Sequence, residues 1–218
     1  MYNEIAKKDV QKVVFDQSII KAPGPDRLGC TTIKLLWERD SDRNIAITKT
    51  TFRLGIHRRA WIDARGVVIP KLNKPVYEVA KAYRLIKLLN CLGEVVVKVA
   101  ANAIAEQCER RRLLHHGQFG CRKRRSAVNT VERLMKRVKD ACGRGNTVAV
   151  LLMDIQGAFP HVAKGNLINR MEEMGFEADL VGWAKSIMEV RKVIISMDGK
   201  KGNSMDVNVR NQQGSPVS

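Results

Sequence analysis

The chemistry available to this chain centres on one carboxylate. Thr147 to Met153 is a nearly continuous apolar run, and it ends at Asp154. An apolar strand buried on both faces that finishes in an acid delivers a carboxylate to the rim of a sheet, where the clefts of many α/β and α+β enzymes lie. Carboxylate oxygen suits hard divalent cations such as Mg2+. The residues that follow, Ile155 to Phe159, read IQGAF, and Gly157 with Ala158 lets backbone N–H groups approach a phosphate chain. Taken alone, Asp154 also suits the cap of a following helix or turn, and Phe159 a core position. A second group, Cys108, His115, His116 and Cys121, has zinc-ligand types in a short segment. It lacks the closely spaced ligand pairs of zinc sites and reads better as a polar turn with loop histidines.

These residues need elements to position them. Glu4 to Ile20 places Ile5, Val10, Val13 and Val14 at helical spacing, and the breaker-rich KAPGPD of Lys21 to Asp26 ends that helix in a stiff turn. Helices are predicted through Ile33–Trp37 and Ile45–Leu54, then a short strand over Gly66–Ile69 closed by Pro70. Pro70 to Arg84 is basic and irregular, and helical spacing returns from Leu88 to Cys108. A loop over His115–Ser126, reading HHGQFGCRKRRS, precedes an amphipathic helix over Asn129–Cys142 and the turn that feeds the Thr147 run. Leu167–Met174 and Leu180–Val190 read as helices, and Lys192–Met197 with Met205–Val209 as a hairpin around the basic tip DGKKGN. No repeat or linker-like stretch divides the chain, so one compact body with sub-regions is expected.

The order of several short strings resembles LINE-type, non-LTR retrotransposon reverse transcriptases. KAPGPD at Lys21–Asp26 is similar to the opening signature, and FRLGIHRRAW at Phe52–Trp61 with VVIPKLNKP at Val67–Pro75 to the fingers segment. AYRLIKLLNCLGE at Ala82–Glu94 resembles Y-R-P-I-x-L-L-N, and QFGCRKRRS at Gln118–Ser126 resembles Q-F-G-F-R-x-G-R-S. LLMDIQGAF at Leu151–Phe159 resembles the strand bearing the first catalytic aspartate, and QGSPVS at Gln213–Ser218 the P-Q-G-S-P-L-S motif. Each string is weak alone; their order along nearly the whole chain is specific.

The resemblance implies an RNA-directed DNA polymerase that uses Mg2+, an RNA template, a DNA primer and deoxynucleoside triphosphates, with two metal ions bridging the reacting oxygens. It makes Asp154 the catalytic carboxylate and metal ligand, with Ile155 offering its carbonyl to a metal. Gly157 and Ala158 would present N–H groups to the triphosphate, and Phe159 would exclude a ribose 2′-hydroxyl. Gln213 and Gly214 would pack over the incoming nucleotide. Arg84 and Arg122 match nucleotide-facing positions of the fingers, and Lys123, Arg124 and Arg125 match positions facing nucleic acid, where arginine's planar fork suits phosphate oxygens. The implied fold is α+β: fingers and a partial palm of a right-hand polymerase, with helices on a small mixed or antiparallel sheet. Residues 1 to about 145 would form the N-terminal extension and fingers and about 146 to 218 the start of the palm, with the rest of palm and thumb absent.

The match departs from the pattern at firm positions. Arg27 and Arg124 stand for glycines, Leu85 for a proline, Cys121 for a phenylalanine, Pro160 for an aspartate and Gln212 for a proline. The aromatic-x-Asp-Asp hairpin that completes the metal site does not occur in these 218 residues, and Asp198 and Asp206 precede the Q-G-S-P motif. A degenerate or truncated copy, inactive as it stands, is the expectation. The alternative is a non-catalytic basic RNA-binding remnant, and 39 Lys and Arg against 22 Asp and Glu, a net charge of +17, favour a polyanionic partner in either case. An α/β phosphotransferase with Asp154 as phosphoacceptor is a further rival, but such enzymes often carry a second aspartate where Gln156 stands here. No apolar run reaches the ~20 residues that span a bilayer, and MYNEIAKKDV lacks a signal-peptide core. An intracellular protein, cytoplasmic or nuclear, with reduced cysteines and no membrane contact is therefore expected.

Overall fold

The computed structural model describes residues 5–73, 75–155, 162–197 and 200–207. The described residues of 1–103 and 157–218 form one compact unit, and those of 104–156 form a second.

In the first unit, α1 (Lys7–Phe15) buries Val10, Val13 and Val14, and the Asp9 carboxylate accepts from the Ala6 N–H at its start. The helix stops short of the expected Ile20; Ile19 and Ile20 are exposed beyond it. α2 (Cys30–Arg39) buries Cys30, Ile33 and Trp37. Asp40 then caps α3 (Ser41–Arg53) by accepting from the Arg43 N–H at 2.9 Å. A single turn, α4 (Arg59–Ile62), leads into β1 (Ala64–Pro70).

A strand that was not expected, β2 (Tyr83–Leu88), begins at the end of the Pro70–Arg84 stretch read as irregular and takes in Leu88, so the next helix, α5 (Cys91–Arg110), starts three residues later than expected. The correction has a non-local cause. β1 needs a partner for its backbone groups, and β2 supplies it antiparallel, from Arg65 opposite Leu88 to Pro70 opposite Tyr83. A lone Y-R-L-I-K-L lacks the alternation that would announce a half-buried strand.

After α7 (Lys164–Glu173) and α8 (Ala178–Ile187), β3 (Arg191–Met197) and β4 (Lys200–Val207) form the expected hairpin. β4 begins at Lys200, so the ladder takes in residues assigned to the basic tip, and only Asp198 and Gly199 separate the strands. The sheet order is β2-β1-β3-β4, with β1 parallel to β3 and the other pairs antiparallel, so the sheet is mixed. Ala64, Leu89 and Val193 form a small core against it, and Phe52 of α3 meets Trp183 of α8 with ring centroids 5.6 Å apart. Helices beside a small mixed sheet make this an α+β arrangement.

The second unit holds the end of α5, the loop to Ser126, and α6 (Ala127–Gly143). Ser126 and Asn129 form a reciprocal cap, with the Ser126 hydroxyl accepting from the Asn129 N–H at 3.2 Å and Asn129 Oδ1 from the Ser126 N–H at 3.0 Å. None of the α6 side chains is buried. The expected buried strand over Thr147–Asp154 is not formed: the segment pairs with no strand among the described residues, and Leu151, Leu152 and Met153 are 79%, 84% and 84% exposed. Apolar composition gives a run the capacity to be buried, but a strand also needs a neighbouring strand to take its N–H and C=O groups. The described sheet places β2 and β4 at its edges and pairs neither with this run.

Candidate nucleotide and nucleic-acid site

Three of the separated strings meet at one side chain. Asn90, from the LLN string, accepts from the Asp26 N–H through Oδ1 at 3.2 Å and donates through Nδ2 to the Ala60 carbonyl at 2.9 Å. It thereby ties KAPGPD and FRLGIHRRAW to the start of α5. Gly24 sits so close that a Cβ there would lie 2.5 Å from the Asn90 nitrogen, which explains a glycine on steric grounds. Glu94, buried one turn into α5, holds the Lys21 ammonium in an ion pair. Cys30 and Cys91 face each other with sulfurs 3.3 Å apart, and burial pushes the Cys91 thiol up to about 12. The sequence signals for this hub were the strings themselves, although none named Asn90 as the junction.

FRLGIHRRAW sends Phe52, His57 and Trp61 into the core and leaves its arginines exposed. The His57 ring is buried between Trp61 and Trp183, with centroids 5.6 and 5.8 Å away, and the His57 backbone N–H donates to Ser186 Oγ at 2.7 Å. Burial, and then the Arg191 cation, lowers its pKa to about 4, so the imidazole is neutral. Arg191 is itself buried, donates to the Ile187 carbonyl at 3.0 Å, and is lowered to about 10 by desolvation, against the opposing charge of Asp63. Neither His57 nor Arg191 stood out in the sequence, because burial of a polar side chain depends on partners far along the chain.

The QFGCRKRRS loop is organised by its own arginines. The Arg122 side chain is only 7% exposed and binds Glu109 of α5 through two parallel contacts of 2.6 Å, while its Nη1 donates to the carbonyls of His115 and Gln118 at 3.0 and 3.1 Å. The hydrogen bond to Arg122 holds the Glu109 carboxyl below its ordinary range. Arg125 donates to the His116 carbonyl at 2.6 Å and to Gln118 at 3.2 Å, and the Arg125 and Arg133 guanidiniums lie 5.2 and 5.8 Å from the Phe119 ring centre. Lys123 and Arg124 are exposed. The residue missed here was Glu109: its partner lies 13 positions away, beyond helical spacing.

The two arginines that replace glycines both adopt left-handed backbone, Arg27 at φ +61° and Arg124 at φ +60°. Cys121, standing for a phenylalanine, is also left-handed at φ +56°, and nothing in the structure explains that exchange.

Of the implied catalytic set, Asp154 and Ile155 are exposed and lie outside any strand. Gly157, Ala158, Phe159, Pro160, Gln213 and Gly214 fall outside the described residues. Arg84 is exposed on β2, opposite Ile69 of β1. Among the described residues no three His, Cys, Asp or Glu side chains are grouped to hold a metal ion. The rings of His115 and His116 instead meet at 4.1 Å with their planes tilted by 46°, and His115 Nδ1 accepts from the Gly117 N–H at 3.1 Å.

No helix among the described residues is long and apolar enough to cross a membrane. Residues 69–218 match the model of the reverse transcriptase (RNA-dependent DNA polymerase) family. The chain is 28% identical over 191 residues to the Drosophila melanogaster protein named "Probable RNA-directed DNA polymerase from transposon BS", covering 88% of this chain and 21% of that one. It is 25% and 26% identical over 211 residues to the RNA-directed DNA polymerases from mobile element jockey of Drosophila melanogaster and Drosophila funebris, covering 97% of this chain and 23% of each. It thus spans about a fifth of the length of these relatives. On the match over residues 69–218, and in keeping with the LINE-type motifs, the chain belongs to the reverse transcriptase family.

Proposed function

We propose that this chain forms the fingers and the first part of the palm of an RNA-directed DNA polymerase of right-hand architecture, with residues up to about 145 gripping template and nucleotide and those from about 146 beginning the palm. The supporting observation is the family match, which includes Asp154 in its motif context and the QFGCRKRRS loop. Asp154 supplies one carboxylate to a divalent cation, and Ile155 a carbonyl. Gly157, Ala158 and Phe159 line the deoxynucleoside triphosphate, with Gln213, Gly214 and Arg84 around it. Lys123 and Arg124 meet the phosphates of RNA template or DNA primer, and Arg125 reaches them with the guanidinium nitrogens that do not donate to the His116 and Gln118 carbonyls. Arg122 reaches the nucleotide only by leaving Glu109, so in the described geometry it shapes the loop.

Asp154 fits a divalent cation by donor type, but by itself it does not fit two. Two-metal phosphoryl transfer needs further carboxylates, and the described residues offer no such group. The test is labelled deoxynucleotide incorporation into a primer on RNA, by this chain alone and by a fusion that adds a jockey-type segment with the aromatic-x-Asp-Asp hairpin after Ser218. The fusion is expected to incorporate label and to lose it on Asp154→Ala, while the unfused chain is expected to incorporate none. Incorporation that survives Asp154→Ala refutes the role of Asp154. The +17 charge also favours a second reading, a non-catalytic RNA-binding module, in which both proteins bind RNA and neither extends a primer.

A further inference from the structure

We infer that Glu109 is a positioning residue for nucleic-acid binding, holding Arg122 so that the Gln118–Ser126 loop presents Lys123 and Arg124 outward; this rests on the proposed contact of that loop with RNA. The Arg122 fork is matched on both nitrogens by the two Glu109 oxygens, at 2.6 Å each. Its remaining nitrogen closes the loop from inside through the carbonyls of His115 and Gln118. The guanidinium is nearly buried although the flanking Lys123 and Arg124 are exposed, so the three consecutive cations divide into one anchor and two outward-facing groups. The anchor is needed because Arg124 sits at φ +60° and Cys121 at φ +56°, two left-handed residues that a loop without cross-links would relax. Arg125 repeats the device from the other side, on the carbonyls of His116 and Gln118 and over the Phe119 ring.

Charge alone and positioning make opposite predictions for Glu109→Gln. The substitution raises the net charge of +17 by one, so a protein that binds RNA only as a diffuse cation should bind as tightly or more tightly. If Glu109 positions the loop, the neutral amide cannot satisfy the fork, the loop loosens, and affinity falls.

The experiment uses the full 218-residue chain and a fluorescent single-stranded RNA, with Glu132→Gln on α6 as a control of equal charge change. Glu109→Gln is expected to weaken binding roughly three- to tenfold, towards the lower end of the coupling found for residues in one network, while Glu132→Gln does not weaken it. In a Lys123→Ala, Arg124→Ala background the Glu109→Gln effect should vanish, which general destabilisation would not produce. Amide hydrogen exchange should speed up across Gln118–Ser126 and stay unchanged in α7 and α8. Glu109→Gln binding as tightly as the unmodified chain, or an effect that persists without Lys123 and Arg124, overturns the inference while leaving RNA binding in place. Absence of RNA binding by the unmodified chain overturns both, and exchange at Gln118–Ser126 then reports whether the latch is purely structural.

Discussion

Replacing Arg27 and Arg124 by glycine should stabilise the protein, and the size of the effect follows from the backbone. Both residues hold φ near +60°. There a Cβ crowds the following carbonyl at a cost of roughly 1–2 kcal/mol, which glycine avoids. Glycine also gains freedom in the unfolded chain, which takes back about 0.4–1 kcal/mol. The net gain is about 0.5–1 kcal/mol per site, or roughly 1–4 °C in melting temperature for a chain of this length. Both side chains are exposed, so the exchange removes little packing, and the turn bond from the Arg27 N–H to the Gly24 carbonyl at 3.1 Å survives it. Relief of charge repulsion is the competing explanation, because any loss of arginine lowers the +17 charge. Alanine separates the two: Arg27→Ala and Arg124→Ala relieve the same charge but keep the Cβ. Urea and thermal melts followed by circular dichroism should show glycine variants more stable than alanine variants by the margin above. Equal stability of each glycine and alanine pair would refute the backbone argument.

Stability should also fall in mildly acidic solution because of His57. Its pKa is about 4 in the folded protein against an ordinary 6.5, so the folded state excludes a proton that the unfolded state takes up. The associated stability is complete above about pH 6.5 and is lost as pH falls towards 4, by about 3 kcal/mol in all. Unfolding free energies from urea titrations at pH 7 and pH 5 should therefore differ by about 2 kcal/mol more in the unmodified chain than in His57→Gln, and an unchanged difference would exclude His57 as the cause. RNA affinity measured by fluorescence anisotropy should drop steeply with salt. Arg122→Glu with Arg125→Glu should weaken it more than Lys7→Glu with Lys8→Glu, because the first pair sets two carboxylates, Glu109 and residue 122, against each other. Equal losses would mean that the loop arginines act as undifferentiated charge.

What was legible in the sequence was whatever local spacing determines. The α6 helix followed from its amphipathic spacing, although the Ser126–Asn129 cap starts it two residues before the expected Asn129; α1 followed from Val10, Val13 and Val14 on one face, and the β3–β4 pair from strand-like runs around DGKKGN, part of which joins β4. The glycine positions now held by Arg27 and Arg124 were legible as conformational demands, and both backbones meet that demand despite the wrong residue. What escaped was set by partners distant in the chain. β2 exists because β1 offers it an edge, His57 is neutral because Trp183 and Arg191 close over it, and Arg122 is turned inward by Glu109.

Asp154 shows the same division within the proposed active site. Its chemistry is local: a carboxylate beside small residues, ending an apolar run. Its position is not, because a catalytic acid must be fixed to a fraction of an ångström, and that rigidity comes from a paired strand beneath it. With Leu151 to Met153 exposed, the described segment has the composition of a palm strand without the neighbours that would make it one. A neighbouring strand whose backbone pairs with this run would orient Asp154 and bring side chains that cover the apolar residues. Burial of Leu151 to Met153 and competence of Asp154 should therefore appear together. In the jockey-type fusion, amide protection across 148–153 is the structural sign that must accompany primer extension, and extension without that protection would show that the acid is positioned by some other means.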